Sequence, residues 1–196
     1  MPEKAEITIH WEKLHYKVKD EGASKVKRWG HTHSLIGSNI YMFGGIGFMD
    51  NASPCNDVHL LKLAHVENVD QCHEWSRIQC SSEHLPPARW NHSATQISLM
   101  QLLVVGGESL DNVLNDVWVF NCSTFTWHKK ELKAPENKRR HGGLDNIPMC
   151  RANHTATLIK NQVYLFGGIG GNDEWSRNYL ANLCSIEPEN WTLSEV

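Results

Sequence analysis

The stretch Arg89-Trp90-Asn91-His92 followed by Ser93-Ala94-Thr95-Gln96-Ile97 and, after a short break, Leu102-Leu103-Val104-Val105-Gly106-Gly107 decides how this chain folds. It holds an Arg-x-x-His, a run with alternating polarity, a tight turn, a second apolar run and a glycine doublet. Segments of this length and pattern read as two paired strands. The same arrangement occurs twice more. Arg28-Trp29-Gly30-His31 leads to Ile40-Tyr41-Met42-Phe43-Gly44-Gly45, and Arg151-Ala152-Asn153-His154 leads to Val163-Tyr164-Leu165-Phe166-Gly167-Gly168. The arginines lie 61 and then 62 residues apart, and the second glycines 62 and then 61. One such match would mean little. Three in constant register are an internal repeat, and a repeat governs every later step of the reading.

The rest of the unit recurs as well. Asn56-Asp57-Val58-His59-Leu60 and Asn115-Asp116-Val117-Trp118-Val119 follow their doublets, with Ala181-Asn182-Leu183-Cys184-Ser185 as a weaker third copy. Each copy closes on a tryptophan: Trp75, Trp127 and Trp191. No segment carries helical periodicity. One unit therefore reads as four strands: A after Arg-x-x-His, B before Gly-Gly, C after the Asp, and D at the closing Trp.

This pattern resembles the kelch repeat, in which four antiparallel strands form one blade of a β-propeller. The resemblance covers roughly residues 10 to 193. It implies an all-β, kelch-type fold in a single domain, 1–196, with blades at about 28–78, 89–130 and 151–194 and an extra N-terminal strand at about 7–18. The family period is about 50 residues, so these blades carry longer loops. The third copy departs from the pattern by placing Asn182 where the others have an Asp.

The motif residues suit architecture better than chemistry. Gly44, Gly45, Gly106, Gly107, Gly167 and Gly168 leave room where strands converge and permit positive φ. Arg28, Arg89 and Arg151, with His31, His92 and His154, suit the satisfaction of buried carbonyls and the joining of blades. Asp57 and Asp116 begin strand C, and Trp75, Trp127 and Trp191 supply large apolar area between sheets. His31 and His33 share a strand face as a metal pair would, but the recurrence of His92 and His154 at the His31 position assigns it to the framework. No metal is expected.

Composition narrows the function. With 19 Lys and Arg against 22 Asp and Glu, the net charge of -3 gives no global attraction for nucleic acid or an anionic membrane. The basic run Lys138-Arg139-Arg140-His141 is too short for a nucleic-acid face. No apolar stretch approaches a membrane span, and the charged start lacks the apolar core of a signal peptide. Six cysteines without a CxxC pair read as free thiols in a reducing compartment, the cytoplasm or the nucleus. A secreted reading would instead have glycans at Asn51 or Asn121. There is no phosphate loop, nucleophile elbow or zinc motif, and the four tyrosines do not supply the Tyr and His set with which some kelch-type oxidases hold copper. No catalysis and no cofactor are expected.

A binding site is expected on the rim that carries the long loops. If the strands run antiparallel, B–C and D–A loops share one rim while the A–B turns, which are short, share the other. The resemblance implies that this rim binds protein segments through those loops and through residues just after the motif Arg. The candidates are Trp29, Trp90, Asn91 and Asn153 after the arginines, and Phe48, Asp111, Asp173, Trp175 and Arg177 in the B–C loops. Trp175 is an aromatic anchor on a polar loop or packs on a neighbouring blade. The expected partner is a protein or peptide, with the chain acting as scaffold or adaptor. The alternative is an accessory portion related to the kelch part of tRNA-modifying methyltransferase fusions.

The blade count raises a question. Propellers close with four to eight blades, and this chain has three, preceded by Trp11-Glu12-Lys13-Leu14, which resembles a strand D without its own A, B and C. Either the chain is part of a longer propeller, or its open blade edges pair with a second copy.

Overall fold

The computed structural model describes residues 15–19, 27–47, 53–63, 73–133, 150–171 and 178–196, and every helix or strand element among them is a strand. The first repeat holds β1 (Tyr16–Val18), β2 (Arg28–Trp29), β3 (Thr32–Ile36), β4 (Asn39–Phe43), β5 (Ile46–Gly47), β6 (Val58–Lys62) and β7 (His73–Ile78). The second holds β8 (Ser93–Ser98), β9 (Gln101–Val105), β10 (Val117–Asn121) and β11 (Thr126–Lys130). The third holds β12 (Thr155–Ile159), β13 (Gln162–Phe166), β14 (Ile169–Gly170), β15 (Asn178–Tyr179), β16 (Leu183–Glu187) and β17 (Thr192–Glu195).

Strands A to D of each repeat form an antiparallel sheet: β3-β4-β6-β7, β8-β9-β10-β11 and β12-β13-β16-β17. The first sheet carries β1 as a fifth strand, added parallel to β7 with Tyr16 opposite His73 and Val18 opposite Trp75. The expected strand over Trp11-Leu14 lies outside the described residues. Contacts from the chain leaving one strand D to the next strand D recur on the other sheets. Ser81, leaving the first strand D, donates its N–H to the Phe125 carbonyl beside the second strand D at 3.3 Å. Lys133, leaving the second, bridges Thr192 of the third in parallel.

The core lies between the sheets. Alternation along β9 turns Leu102 and Val104 towards the first sheet, where they pack with its Tyr41 and Phe43 and with Phe120 and Trp127 of their own. Leu103 and Val105 point the other way, to Val163, Leu165 and Ile186 of the third. A strand buried on both faces needs an unbroken apolar run, and Leu102-Leu103-Val104-Val105 is one. Phe43 packs 4.7 Å from the Trp127 ring and 5.1 Å from that of His92. On the opposite face of the first sheet Met42, Leu61 and Trp75 form a smaller buried cluster.

Polar contacts repeat at both interfaces. The hydroxyl that follows the motif His meets the motif His of the next sheet: Thr32 Oγ1 lies 2.9 Å from His92 Nε2, and Ser93 Oγ lies 2.8 Å from His154 Nε2. Gly45 and Gly107 donate N–H bonds to the Arg89 and Arg151 carbonyls, each at 2.8 Å. A third series runs N–H to carbonyl from Asn91 to Gly30 at 2.8 Å and from Asn153 to Asn91 at 2.9 Å.

The two glycines of each doublet do different work. A Cβ on Gly44 would stand 2.7 Å from the Arg89 carbonyl and 2.8 Å from His92 Cε1, both in the next blade. On Gly106 it would run into the Arg151 carbonyl, again in the next blade. On Gly45 and Gly107 it would strike strand A of the same blade, at His31 Cβ and His92 Cβ, each 2.8 Å away. The first glycine admits the neighbour, and the second lets its own strands converge.

The histidine latches make stability depend on pH. Burial and the Arg89 charge lower the His92 pKa from 6.5 to about 3, and burial and the Arg151 charge lower that of His154 to about 4. Both rings are neutral in the fold but protonate near 6.5 when unfolded, so their contribution is complete above that pH and is lost as pH falls towards the folded values. Between pH 8 and pH 6 the pair should cost about 2 kcal/mol of unfolding free energy. Urea titrations at the two pH values check this, and an unchanged midpoint would contradict neutral burial.

Candidate functional site

Each motif arginine is buried beneath the rim and holds strand C in place. Arg28 donates to Asp57 at 2.6 Å and to the Gly44 carbonyl at 3.0 Å, while His59 Nε2 lies 2.8 Å from the same carboxylate. Burial alone would raise the Asp57 pKa, but the His59 and Arg28 hydrogen bonds and the Arg28 charge hold it well below the usual carboxylate range. Arg89 grips Asp116 with two 2.7 Å bonds and reaches the Gly106 carbonyl at 2.8 Å, and Trp118 Nε1 donates to Asp116 at 2.7 Å. In the third blade Arg151 donates to Asn182 Oδ1 at 3.3 Å and Cys184 Sγ at 3.6 Å. His59, Trp118 and Cys184 occupy one repeat position, so the third group of the cluster varies while the arginine stays. Asn182→Asp would turn a guanidinium–amide hydrogen bond into an ion pair with both partners charged. It should stabilise the chain by about 1 kcal/mol, read as a raised melting temperature.

With the arginines fixed, the residues after them stand on the rim. Trp29 pairs with Ile46 through β2 and β5, Trp90 bridges Glu108, and Ala152 bridges Ile169. The post-arginine residue of each blade is thereby tied to the start of its own B–C loop. Each of the first two B–C loops is tied in turn to the chain entering the next blade: Arg89 N–H donates to the Cys55 carbonyl at 3.0 Å and Arg151 N–H to that of Leu114 at 3.3 Å. Asn56 Nδ2 also reaches the Pro86 carbonyl at 3.2 Å. The B–C and D–A segments do share one rim.

The candidates differ in what they offer there. Trp29 is 48% exposed, and Trp90 is half-buried. Asn91 and Asn153 have φ values of 55° and 56°, in the left-handed region that Asn tolerates, and Gly30 takes the same place in the first blade. Their backbones are committed to the inter-blade series. Asn91 Nδ2 is also committed, to Glu108 Oε1 at 3.2 Å, whereas Asn153 is exposed. Asp111 is exposed at the tip of a turn closed by Ser109 N–H to the Asn112 carbonyl at 2.9 Å. Phe48, Asp173, Trp175 and Arg177 lie outside the described residues. Sequence reasoning passed over Glu108 and Leu110. Glu108 carries no motif signal, whereas Leu110, 79% exposed at the same tip as Asp111, was visible as an apolar residue in a polar loop.

The His31 and His33 rings meet edge to face with centroids 4.5 Å apart. Burial lowers both pKa values, and among the described residues no group of three or more His, Cys, Asp or Glu is placed to hold a metal. The five described cysteines are free thiols. No described helix is long and apolar enough to cross a membrane, a statement that leaves β-barrels aside.

Residues 30–196 match the family model of the KLHDC2/KLHL20/DRC7 Kelch-repeats domain. This chain belongs to the kelch-repeat family. Curated kelch relatives include human host cell factor 1, 31% identical over 170 residues that cover 81% of this chain and 8% of that protein. The flagellar outer-arm dynein alpha chain of Chlamydomonas reinhardtii is 29% identical over 155 residues, 79% of this chain and 3% of its own length. The Rho GTPase-activating protein gacHH of Dictyostelium discoideum is 30% identical over 167 residues, 84% of this chain and 10% of its own. This kelch chain spans a tenth or less of the length of each of these three relatives.

Proposed function

We propose that this kelch chain is a protein-interaction module that binds a protein segment at the rim formed by its B–C and D–A loops. The observation that carries the reading is the placement of Trp29 and Trp90 on one rim with the Leu110-Asp111 tip, above a buried Arg–Asp framework that fixes their positions. Exposed aromatics on a rigid base lose little conformational entropy on binding, and such residues dominate interface energetics. The relatives support a portable module, since a similar stretch occupies a small part of otherwise differently named proteins. The segment is bound by Trp29 and Trp90, with Asp111 and Asn153 supplying polar contacts and Trp175 and Arg177 contributing from the third B–C loop.

Proximity labelling with the wild type, a Trp29→Ala/Trp90→Ala variant and a Trp175→Ala/Arg177→Ala variant tests this. Partners that depend on the rim should weaken at least about tenfold in one or both variants, at unchanged circular dichroism. A partner set identical in all three would remove the rim from consideration.

A further inference from the structure

Register puts Trp75, Trp127 and Leu193 at one place on their strands D, because Arg77, Lys129 and Glu195, two residues on, face the equivalent His59, Trp118 and Cys184. Around that place each sheet receives chain from outside itself, along its outer edge. In the first sheet β1 does so in full. The His73 N–H donates to the His15 carbonyl at 3.3 Å, and the Lys19 N–H to the Trp75 carbonyl at 2.9 Å. In the third, the Lys133 N–H donates to the Trp191 carbonyl at 2.8 Å, and the Lys133 carbonyl accepts from the Leu193 N–H at 2.9 Å.

The second sheet starts the same course and abandons it. The Ser81 N–H reaches the Phe125 carbonyl, but Ser82 offers the Trp127 N–H only its hydroxyl. Among the described residues no backbone bond then continues to the Trp127 carbonyl. The Trp127 N–H points out of the sheet, so by antiparallel alternation the Trp127 carbonyl and both backbone groups of Lys129 face outward as well. A groove of about 480 Å³ lies there, with Ser82, Glu83 and His84 on one side, β11 on the other and buried Trp118 in its floor. The second sheet packs against both the first and the third, so this edge belongs to neither end of the array.

Charge selects the occupant. In the first sheet the added strand brings Lys19 Nζ within 3.7 Å of Glu74 on strand D. Along β11 the sign is reversed: the Lys129 side chain is 55% exposed, and His128 and His84 are exposed beside it. The Lys129 contact with Glu131, 3.9 Å between exposed groups, is worth little. Glu83 is the acid among the described lining residues. We propose that this edge docks an acidic, extended segment of a partner protein, which adds to β11 as a parallel fifth strand beyond Ser82. Its N–H groups donate to the Trp127 and Lys129 carbonyls, one of its carbonyls accepts the Lys129 N–H, and its carboxylates lie against Lys129. Main-chain bonds to an open edge supply affinity, and alternate side chains supply specificity. The described lining residues include none of the rim candidates, so this surface and the rim stand or fall separately.

Fluorescence anisotropy on the whole chain tests this with a labelled octapeptide of alternating valine and glutamate and with its valine–lysine counterpart. The acidic peptide should bind with a Kd of about 0.1 mM or tighter, and the basic one at least about tenfold more weakly. Lys129→Glu should reverse that preference. Lys129→Pro, which removes an outward N–H that the sheet itself does not use, should weaken the acidic peptide about tenfold. In the wild type at saturation, the Lys129 amide should exchange its hydrogen at least about tenfold more slowly. Circular dichroism checks the fold of each variant; should Lys129→Pro not fold, Lys129→Glu and the exchange measurement carry the test. No binding at about 1 mM peptide, or an unchanged preference in Lys129→Glu, overturns the proposal. So does an unslowed Lys129 amide, which would mean attraction without an added strand. The Trp29→Ala/Trp90→Ala variant should bind the acidic peptide as the wild type does; a loss there would put the peptide on the rim and overturn this site alone.

Discussion

Gly106→Ala should lower the unfolding free energy by about 3 kcal/mol, whereas Gly167→Ala should lower it by only about 1 kcal/mol. Both glycines have positive φ, 57° and 69°, so both substitutions incur the left-handed backbone cost of an L side chain. Only the first adds a collision. The new methyl at 106 would press on the Arg151 carbonyl of the adjoining blade, a backbone atom held by the Gly107 N–H and unable to swing aside. The methyl at 167 would make only an ordinary van der Waals contact, 3.6 Å from the Leu180 carbonyl. Thermal melts should show roughly 6–12 °C lost at 106, at the few degrees per kcal/mol expected for a chain of this size. Equal losses at the two positions would mean that φ alone governs the doublet.

Arg89→Ala should cost about 3–5 kcal/mol, the largest single loss expected from any of these substitutions. Arg89 is fully buried, and its two bonds to Asp116 and one to the Gly106 carbonyl leave it well satisfied. Truncation would strand a largely buried carboxylate with Trp118 Nε1 as its remaining donor of those described and open a cavity under the rim. Adding Asp116→Asn to Arg89→Ala should recover part of the loss, because a neutral amide costs less to leave underpaired than a charge. Denaturant unfolding of the single and double variants measures this. A double variant no more stable than Arg89→Ala would assign the loss to packing instead of charge. The rim tryptophans should also lose their fixed positions in Arg89→Ala, so partner capture should fall with stability.

The strands were legible because their signals are local. The apolar runs of β4, β9 and β13 and the glycines after them can be counted on the chain, and constant register across three copies removes chance. The rim was legible too, since loop length alone separates the short A–B turns from the B–C and D–A connections. The distinct tasks of the paired glycines were not, because the atoms that exclude a side chain at Gly44 belong to a residue 45 positions away, Arg89. Nor was the commitment of Asn91, whose amide is taken by a glutamate outside every motif.

By itself the sequence determined the repeat, its four strands, the residues that frame each blade and the loops that reach outward. Periodicity and glycine placement are properties of the chain as a line. What the tertiary structure decided is which half of each contact is satisfied. Thr32 and Thr155, Phe43 and Phe166, Gly44 and Gly167 are the same letters in the same register. Their energies differ because, among the described residues, only the first of each pair has a neighbouring blade against it. Burial is a property of what stands opposite, and no residue carries that information alone.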